Sequence, residues 1–246
     1  MQKCVALFII CLVSVITDAI PLPSYMKRCS QKDPKINECA LKSGRDAIPS
    51  LIKGDQKYGI PVLDPLHVKE LSVNQTGIAY TFRDMVITGV KNSDLKEVSF
   101  DFDKRTMRFS ITVPRLEFLG TYEVTGKLLT FPISGNGDFN NTQTDIAVTY
   151  ILNYDLTKMK DGTRYVVPQS YVIDTKPGYV IQELTNLFNG NKLLGNTLNA
   201  FTNENWRDVY NEVGKPIYKA LGLVVYNIFL EVTKKVPYEE FFSDAN

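Results

Sequence analysis

The chain has 246 residues, with 28 lysines and arginines against 27 acidic residues and a single histidine. Charge this evenly balanced, with no basic stripe and no acidic tail, offers no grip for nucleic acid or for a charged membrane surface. One histidine also leaves little material for metal ligation or for proton transfer at an active site.

The first twenty residues set the compartment. Lys3 supplies a basic start, and Val5 to Ile16 form an apolar run of about a dozen residues, the pattern of a secretory signal peptide. Thr17-Asp18-Ala19 puts small residues at the two positions read by signal peptidase, so residues 1–19 are expected to leave and the mature chain to begin near Ile20. A transmembrane anchor, the alternative, needs roughly twenty apolar residues. No later segment approaches that length, since even Ala220 to Val232 carries Tyr226, Asn227 and Glu231. A soluble, extracellular mature protein without stable membrane insertion is expected. Residues 20–246 contain no repeat, low-complexity tract or linker, and are expected to form one domain.

Cys4 and Cys11 depart with the signal peptide and leave Cys29 and Cys39. An even pair in an oxidising compartment is expected to be a disulfide, worth about 3 kcal/mol over so short a loop in the chain-entropy model. A metal or redox role is the alternative, with no histidine or further cysteine beside the pair. The sequons at Asn74-Gln75-Thr76 and Asn140-Asn141-Thr142 make Asn74 and Asn140 glycosylation candidates near surface turns.

Apolar residues at near-helical spacing predict a first amphipathic helix over Pro34 to Ile52, weakened by Gly44 and Pro49 and stopped by Gly54. Gly59-Ile60-Pro61-Val62-Leu63-Asp64-Pro65-Leu66 follows as a stiff extended connector. The period then changes to two. Alternation at Ile78, Tyr80 and Phe82, at Val98, Phe100 and Phe102, and at Met107, Phe109, Ile111 and Val113 predicts strands sharing a buried face. At Pro114 the parity flips to Leu116, Phe118, Tyr122, Val124 and Leu128, as a bulge or sharp bend requires. Ile146, Val148, Tyr150, Leu152, Tyr154 and Leu156 continue the pattern, and Asp161-Gly162 predicts a hairpin turn before Tyr165. The sheet is expected to be antiparallel and meandering.

The last third reads as helical. One helix is predicted over Val180 to Phe188, closed by Asn189-Gly190, and a short one around Leu193 to Phe201. The longest element is predicted from Asn205 to about Val236, with Pro237 as its stop and a kink or division at Gly214 and Pro216. Such a helix would be roughly 48 Å long. Leu223, Tyr226 and Leu230, beyond the main stripe of Val213, Ile217, Leu221, Val224 and Ile228, make its second half apolar nearly all round, so it is expected to be enclosed.

The fold class read from this order is α+β, a long and highly curved antiparallel sheet wrapped around a long C-terminal helix, with an elongated apolar space between them. That space is the usual form of a small-molecule site. The candidate ligand-binding residues are Tyr80, Phe82, Phe100, Phe109, Ile111, Val113, Phe118, Tyr122, Val148, Tyr150, Leu152, Leu221, Val225, Ile228 and Phe229. The hydroxyls of Tyr80, Tyr122 and Tyr150 are candidates for orienting a ligand, or else point to solvent. Spacing alone leaves open whether the centre is hollow or filled core.

Specific residues carry a resemblance. Cys29 and Cys39, the connector from Gly59 to Leu66, Gly135-Asn136-Gly137-Asp138, Asn205-Trp206, Pro216, Phe229 and Pro237-Tyr238-Glu239-Glu240-Phe241-Phe242 occur in order over nearly the whole mature chain. With the signal peptide, they resemble the insect takeout and juvenile-hormone-binding-protein family, whose fold belongs with the tubular lipid-binding proteins. The resemblance implies an internal tunnel for hydrophobic ligands such as terpenoids, fatty acids or their esters, and links to feeding, circadian output or chemosensory fluid. Haemolymph juvenile-hormone carriers of that family have a second disulfide in the C-terminal half. This chain has no cysteine there, as in the takeout branch.

Catalysis has a thin inventory, and no enzyme is expected. His67 is the only histidine and sits beside the connector, no Gly-x-Ser-x-Gly occurs, and Gly135-Asn136-Gly137-Asp138 lacks the third glycine of a dinucleotide site and reads as a turn. Glu97, Asp101 and Asp103 read as a solvated strand face. No cofactor and no metal cluster is expected, and a receptor or carrier partner is left unidentified. The competing class is a secreted interaction protein with a filled cavity that acts through its surface.

Overall fold

The structure, a computed structural model, describes residues 19–75 and 77–244. The expected signal peptide, apart from Ala19, lies outside the described residues with Cys4 and Cys11, as does Thr76 of the first sequon.

Seven strands form one antiparallel sheet: β1 (Leu66–Gln75), β2 (Ile78–Thr88), β3 (Asp94–Asp101), β4 (Thr106–Leu128), β5 (Phe131–Lys158), β6 (Arg164–Lys176) and β7 (Tyr179–Leu184). The order is β1-β2-β4-β5-β6, with β3 taking the place of β2 along the first half of β4 and β7 taking the place of β6 along the first half of β5. The spine is the β4–β5 hairpin, paired from Thr106↔Asn153 to Leu128↔Phe131.

A hairpin this long stays curled because its inner face changes parity where the strands are bulged. Val113 is buried and so is Leu116, with Pro114 and Arg115 outside, which matches the flip expected at Pro114. Sequence reading missed two companion irregularities. Asp84 and Asp145 adopt positive φ of 50° and 52°, and inward positions change from Phe82 to Met85 and from Gln143 to Ile146 across them. Bulges in adjacent strands bend the sheet as a unit into a half-barrel.

Among the described residues five helices accompany the sheet: α1 (Ile36–Leu51), α2 (Lys192–Glu204), α3 (Trp206–Val209), α4 (Lys215–Lys235) and α5 (Tyr238–Phe241). A π-helical turn, Tyr210–Gly214, joins α3 to α4, and its flanking residues keep right-handed helical φ and ψ. The rod is therefore continuous, and the division expected at Gly214 and Pro216 takes the form of an inserted residue. The wider turn accommodates Pro216, which has no N–H to donate and whose ring crowds the preceding turn.

The rod closes the half-barrel, since α4 packs against β6 and β1, the two ends of the strand order. It is not enclosed on all sides, contrary to the expectation from its apolar circumference. Lys215, Lys219, Leu223 and Asn227 form a water-facing line, with Leu223 48 % exposed.

Two further expectations need correction. Val180 to Phe188 is the strand β7 followed by a short 3-10 turn at Phe188–Gly190. Gly135-Asn136-Gly137-Asp138 is no turn either, because it lies inside β5, opposite Thr121 to Val124. Its glycines serve close approach: a Cβ on Gly137 would stand 2.6 Å from Thr185 Oγ1, and one on Gly135 3.0 Å from the Leu187 Cα. The hairpin turns instead at Leu129, whose amide donates to both oxygens of Glu212 on the π-turn, at 3.0 and 3.1 Å.

At the far end from that turn the barrel is plugged. α1 lies on β3, where Gly44 leaves room for Leu95. The Cys29–Cys39 disulfide, Cα atoms 6.0 Å apart, ties α1 to the segment that pairs with Phe242. Phe100 and Phe102 meet the Phe242 ring edge-on at 5.7 and 5.4 Å. Ile20, the expected mature N-terminus, donates its amide to the Lys235 carbonyl at 3.0 Å and so holds the end of the rod.

Candidate ligand cavity

Between the rod's first turns and the opposite half of the sheet lies a cavity with about 80 Å³ open to water centres, several times the roughly 10–15 Å³ that one water needs in that measure. The structure is hollow here. Its apolar wall comes from Tyr80, Phe82 and Met85 of β2, Phe118 of β4 and Phe139 of β5. The rod adds Trp206, Val209, Tyr210, Val213, Ile217 and Tyr218 on one helical face, and β7 adds Val180 and Leu184. The bulge at Asp84 allows Phe82 and Met85, three positions apart, to face the same side.

The two tyrosines of the rod are pinned. Tyr218 donates to Gln143 Oε1 at 2.9 Å, and burial pushes its phenol far above the ordinary range. Tyr210 donates to the Thr175 carbonyl at 3.1 Å, with the Thr175 hydroxyl alongside, and burial raises its pKa to about 12. Trp206 is buried, edge-on to Tyr179 at 5.8 Å, with the Arg207 guanidinium 4.4 Å over its ring.

Thr202 and Asn203 of α2 also line the cavity. This helix is fastened to the free edge of β7 by two asparagines. Asn203 accepts from the Gln182 amide at 2.8 Å and donates to its carbonyl at 2.9 Å, and Asn199 does the same with Leu184 at 3.1 and 2.9 Å. Four helical residues advance about 6 Å and two strand residues about 6.6 Å, so i, i+4 on α2 matches i, i+2 on β7. The chain entering α2 turns through positive φ at Asn186, Phe188, Asn189 and Gly190. Leu193 is 78 % exposed at the start of α2.

Of the sequence candidates, Tyr80, Phe82 and Phe118 line this cavity. Ile111, Val113, Val148 and Leu221 belong to the same apolar cluster further along the rod, with Val113 fully buried. Phe109, Tyr150 and Phe229 form an aromatic group. Tyr150 is 1 % exposed, stacked on Phe109 at 5.2 Å and Tyr171 at 5.5 Å, and its hydroxyl donates to the Gly222 carbonyl at 3.1 Å. Leu152 is buried, Val225 and Ile228 are half-buried on α4, and Phe100 sits in the plug with Phe242. Tyr122 is buried with its hydroxyl on the Thr185 carbonyl at 2.6 Å. Among Tyr80, Tyr122 and Tyr150, only the Tyr80 hydroxyl makes no hydrogen bond among the described residues.

Sequence reading missed a polar wall. Asn141 and Gln143 of β5 and Gln182 of β7 line the cavity beside the apolar residues, and Gln143 is only 6 % exposed. The alternation Phe139, Asn141, Gln143 was the available signal.

Other sites lie on the surface. His67 is exposed on β1, Glu97 faces Arg108 at 3.6 Å, and Asp101 pairs with Lys104 at 3.0 Å. Asn74 is exposed near the end of β1, whereas Asn140 is exposed in mid-strand on β5 rather than at a turn. Among the described residues no group of three or more His, Cys, Asp or Glu is placed to hold a metal ion, and no helix is long and apolar enough to cross a membrane.

Comparison with known proteins agrees with this architecture. The crystal structure of Takeout 1 from Epiphyas postvittana superposes with a TM-score of 0.78 at 26 % identity, covering 88 % of this chain and 99 % of that one. The circadian clock-controlled protein daywake of Drosophila melanogaster is 26 % identical over 235 residues, 89 % of this chain and 88 % of that protein. Its counterpart in Drosophila yakuba is 24 % identical over 231 residues, with the same coverage. The sequence pattern of the family described as haemolymph juvenile hormone binding protein matches residues 5–243, and the chain belongs to that family.

Proposed function

We propose that this protein is a secreted, non-enzymatic carrier that holds a small hydrophobic ligand, a terpenoid, fatty acid or related lipid, between the rod and the sheet. The observation that carries this reading is the hollow beside Trp206 and Ile217, walled by aromatic and aliphatic side chains, with no charged residue among the described residues of its lining. From there the site extends in this proposal along Ile111, Val148, Leu221 and Val225 towards Phe109, Tyr150, Ile228 and Phe229. Haemolymph or chemosensory fluid is the proposed location, and removal of residues 1–19 the proposed route to it. The relation to clock-controlled relatives supports a role in circadian or feeding physiology. The sequons at Asn74 and Asn140 are proposed glycan sites.

The energetics are sufficient for a carrier. Burying some fifteen carbons at about 0.8 kcal/mol each supplies about 12 kcal/mol. Association and ordering remove at least about 4 kcal/mol, which leaves at most about 8 kcal/mol, or micromolar affinity, without any ion pair.

Substituting Ile217→Trp tests the site by filling it. Affinity for a fluorescent fatty-acid probe is expected to fall at least about tenfold, or about 1.4 kcal/mol, with the melting temperature nearly unchanged. Unchanged affinity would remove the cavity from the carrier reading. Native mass spectrometry of protein purified from its own tissue provides the complementary test, and an empty protein that captures no probe favours the interaction-protein alternative.

A further inference from the structure

Resting on that carrier reading, we propose that Asn141, Gln143 and Gln182 form a head-group reader. It selects lipids whose polar end is a neutral hydrogen-bond acceptor, an ester or ketone, over free carboxylates and plain hydrocarbons.

The three amides form one connected row across two strands. Asn141 and Gln182 are direct cross-strand partners, and Gln143 is the next inward position on β5. Tyr218 donates to Gln143 Oε1 at 2.9 Å, Gln143 Nε2 donates to Asn141 Oδ1 at 2.9 Å, and Asn141 Nδ2 donates to Gln182 Oε1 at 3.5 Å. Every amide oxygen in the row therefore already accepts a hydrogen bond.

The hydrogens are in surplus. A side-chain amide carries two N–H donors, so Gln143 and Asn141 each keep one beyond the row, and Gln182 Nε2 keeps both. An unmet donor in a dry site is costlier than a carbonyl with one lone pair left over. The row thus presents donors to whatever fills the cavity, and a carbonyl oxygen on the ligand satisfies them. A hydrocarbon leaves them unmet.

A carboxylate is disfavoured for a different reason. None of the described lining residues carries a charge, so an ionised acid would lose its hydration without gaining a cation. Gln182 is held firmly enough to read a head group, because Asn203 clasps its backbone from the far side.

The test uses the mature chain, residues 20–246, loaded with the apolar fluorophore N-phenyl-1-naphthylamine. Methyl tetradecanoate, tetradecanoate and pentadecane, matched in size, are titrated as displacing ligands at neutral pH. The ester is expected to bind tightest, by about fivefold or more over the hydrocarbon, the worth of one to two neutral hydrogen bonds. Gln182→Met should abolish the ester's advantage over pentadecane, because it removes the donors that the ester meets and the hydrocarbon leaves unmet. Asn141→Leu, a second near-isosteric change, should do the same. Equal binding of ester and hydrocarbon to the wild type, tightest binding of the carboxylate, or equal loss of ester and hydrocarbon in both variants would overturn the proposal. If the fluorophore binds but none of the three ligands displaces it, the carrier reading falls and takes the head-group reader with it.

Discussion

The two ends of the half-barrel share the β4–β5 hairpin and solve opposite problems. At the end bearing β1, β2, β7 and α2, the rod meets the sheet across a hollow, and one wall is a row of amides. At the other, the rod's last turns, α1, α5 and the Cys29–Cys39 bridge fill the opening with interlocking aromatic rings. Arg164 bonds Glu239 at 2.7 Å and lies over the Tyr238 ring, which adds a charged clasp. Close packing is the default of protein interiors, and a hollow persists only where the surrounding frame is rigid enough not to collapse into it. The plugged end supplies that rigidity, so the molecule reads as a cup with a sealed base.

If that division is correct, truncations should fall most heavily on stability in the closed half and most heavily on binding at the open end. Tyr150→Ala is the severest case. It removes a ring stacked between Phe109 and Tyr171 together with its hydroxyl's bond to the Gly222 carbonyl. A loss of about 3–5 kcal/mol in urea unfolding is expected, as for other large aromatic truncations. A loss below about 1 kcal/mol would mean that this region is already hollow, and would move the sealed base further down the barrel.

Cys39→Ser comes next. The chain-entropy model assigns the ten-residue separation about 3 kcal/mol, so urea unfolding should shift by about that amount. Probe affinity should not change, because Cys39 packs with Phe100 and Phe242 and away from the cavity lining. Equal damage to stability and binding would show that the plug shapes the ligand space and would blur the distinction between the two ends.

How much of this was legible in the sequence follows the same division. Strands whose inward residues are all apolar announced themselves, from Tyr80 and Phe82 to Tyr150 and Leu152, and so did the stripe of the rod. The strand β7 did not. Its inward positions are Val180, Gln182 and Leu184, and the glutamine breaks the period of two. Ile181, Leu184, Leu187 and Phe188 then imitate helical spacing. Gly135 and Gly137 were misread as a turn because glycine weakens a strand, and only the approach of Thr185 and Leu187 explains why they belong there. Both errors fall on the cavity's polar wall, where residues chosen for a site depart from the residues that would best build the element.

The smallest expected effect concerns α2, a wall of the cavity held to β7 by two asparagine side chains. Asn203→Ala removes both bonds to the Gln182 backbone and leaves the Asn199 clasp in place. At about 0.5–1.5 kcal/mol per neutral hydrogen bond, the change should weaken the attachment of α2 by about 1–3 kcal/mol. Most of that should register as local opening, because α2 buries only Gly195, Leu198 and Thr202 and its first turn is exposed. Amide hydrogen exchange at Gln182 is expected to accelerate about tenfold or more, since the lost bond protected that N–H from water. Stopped-flow dissociation of the bound fluorophore should quicken by a similar factor, with little change in the melting temperature. Faster exchange together with an unchanged off-rate would show that α2 opens without releasing ligand, and would place the route out of the cavity elsewhere along the rod.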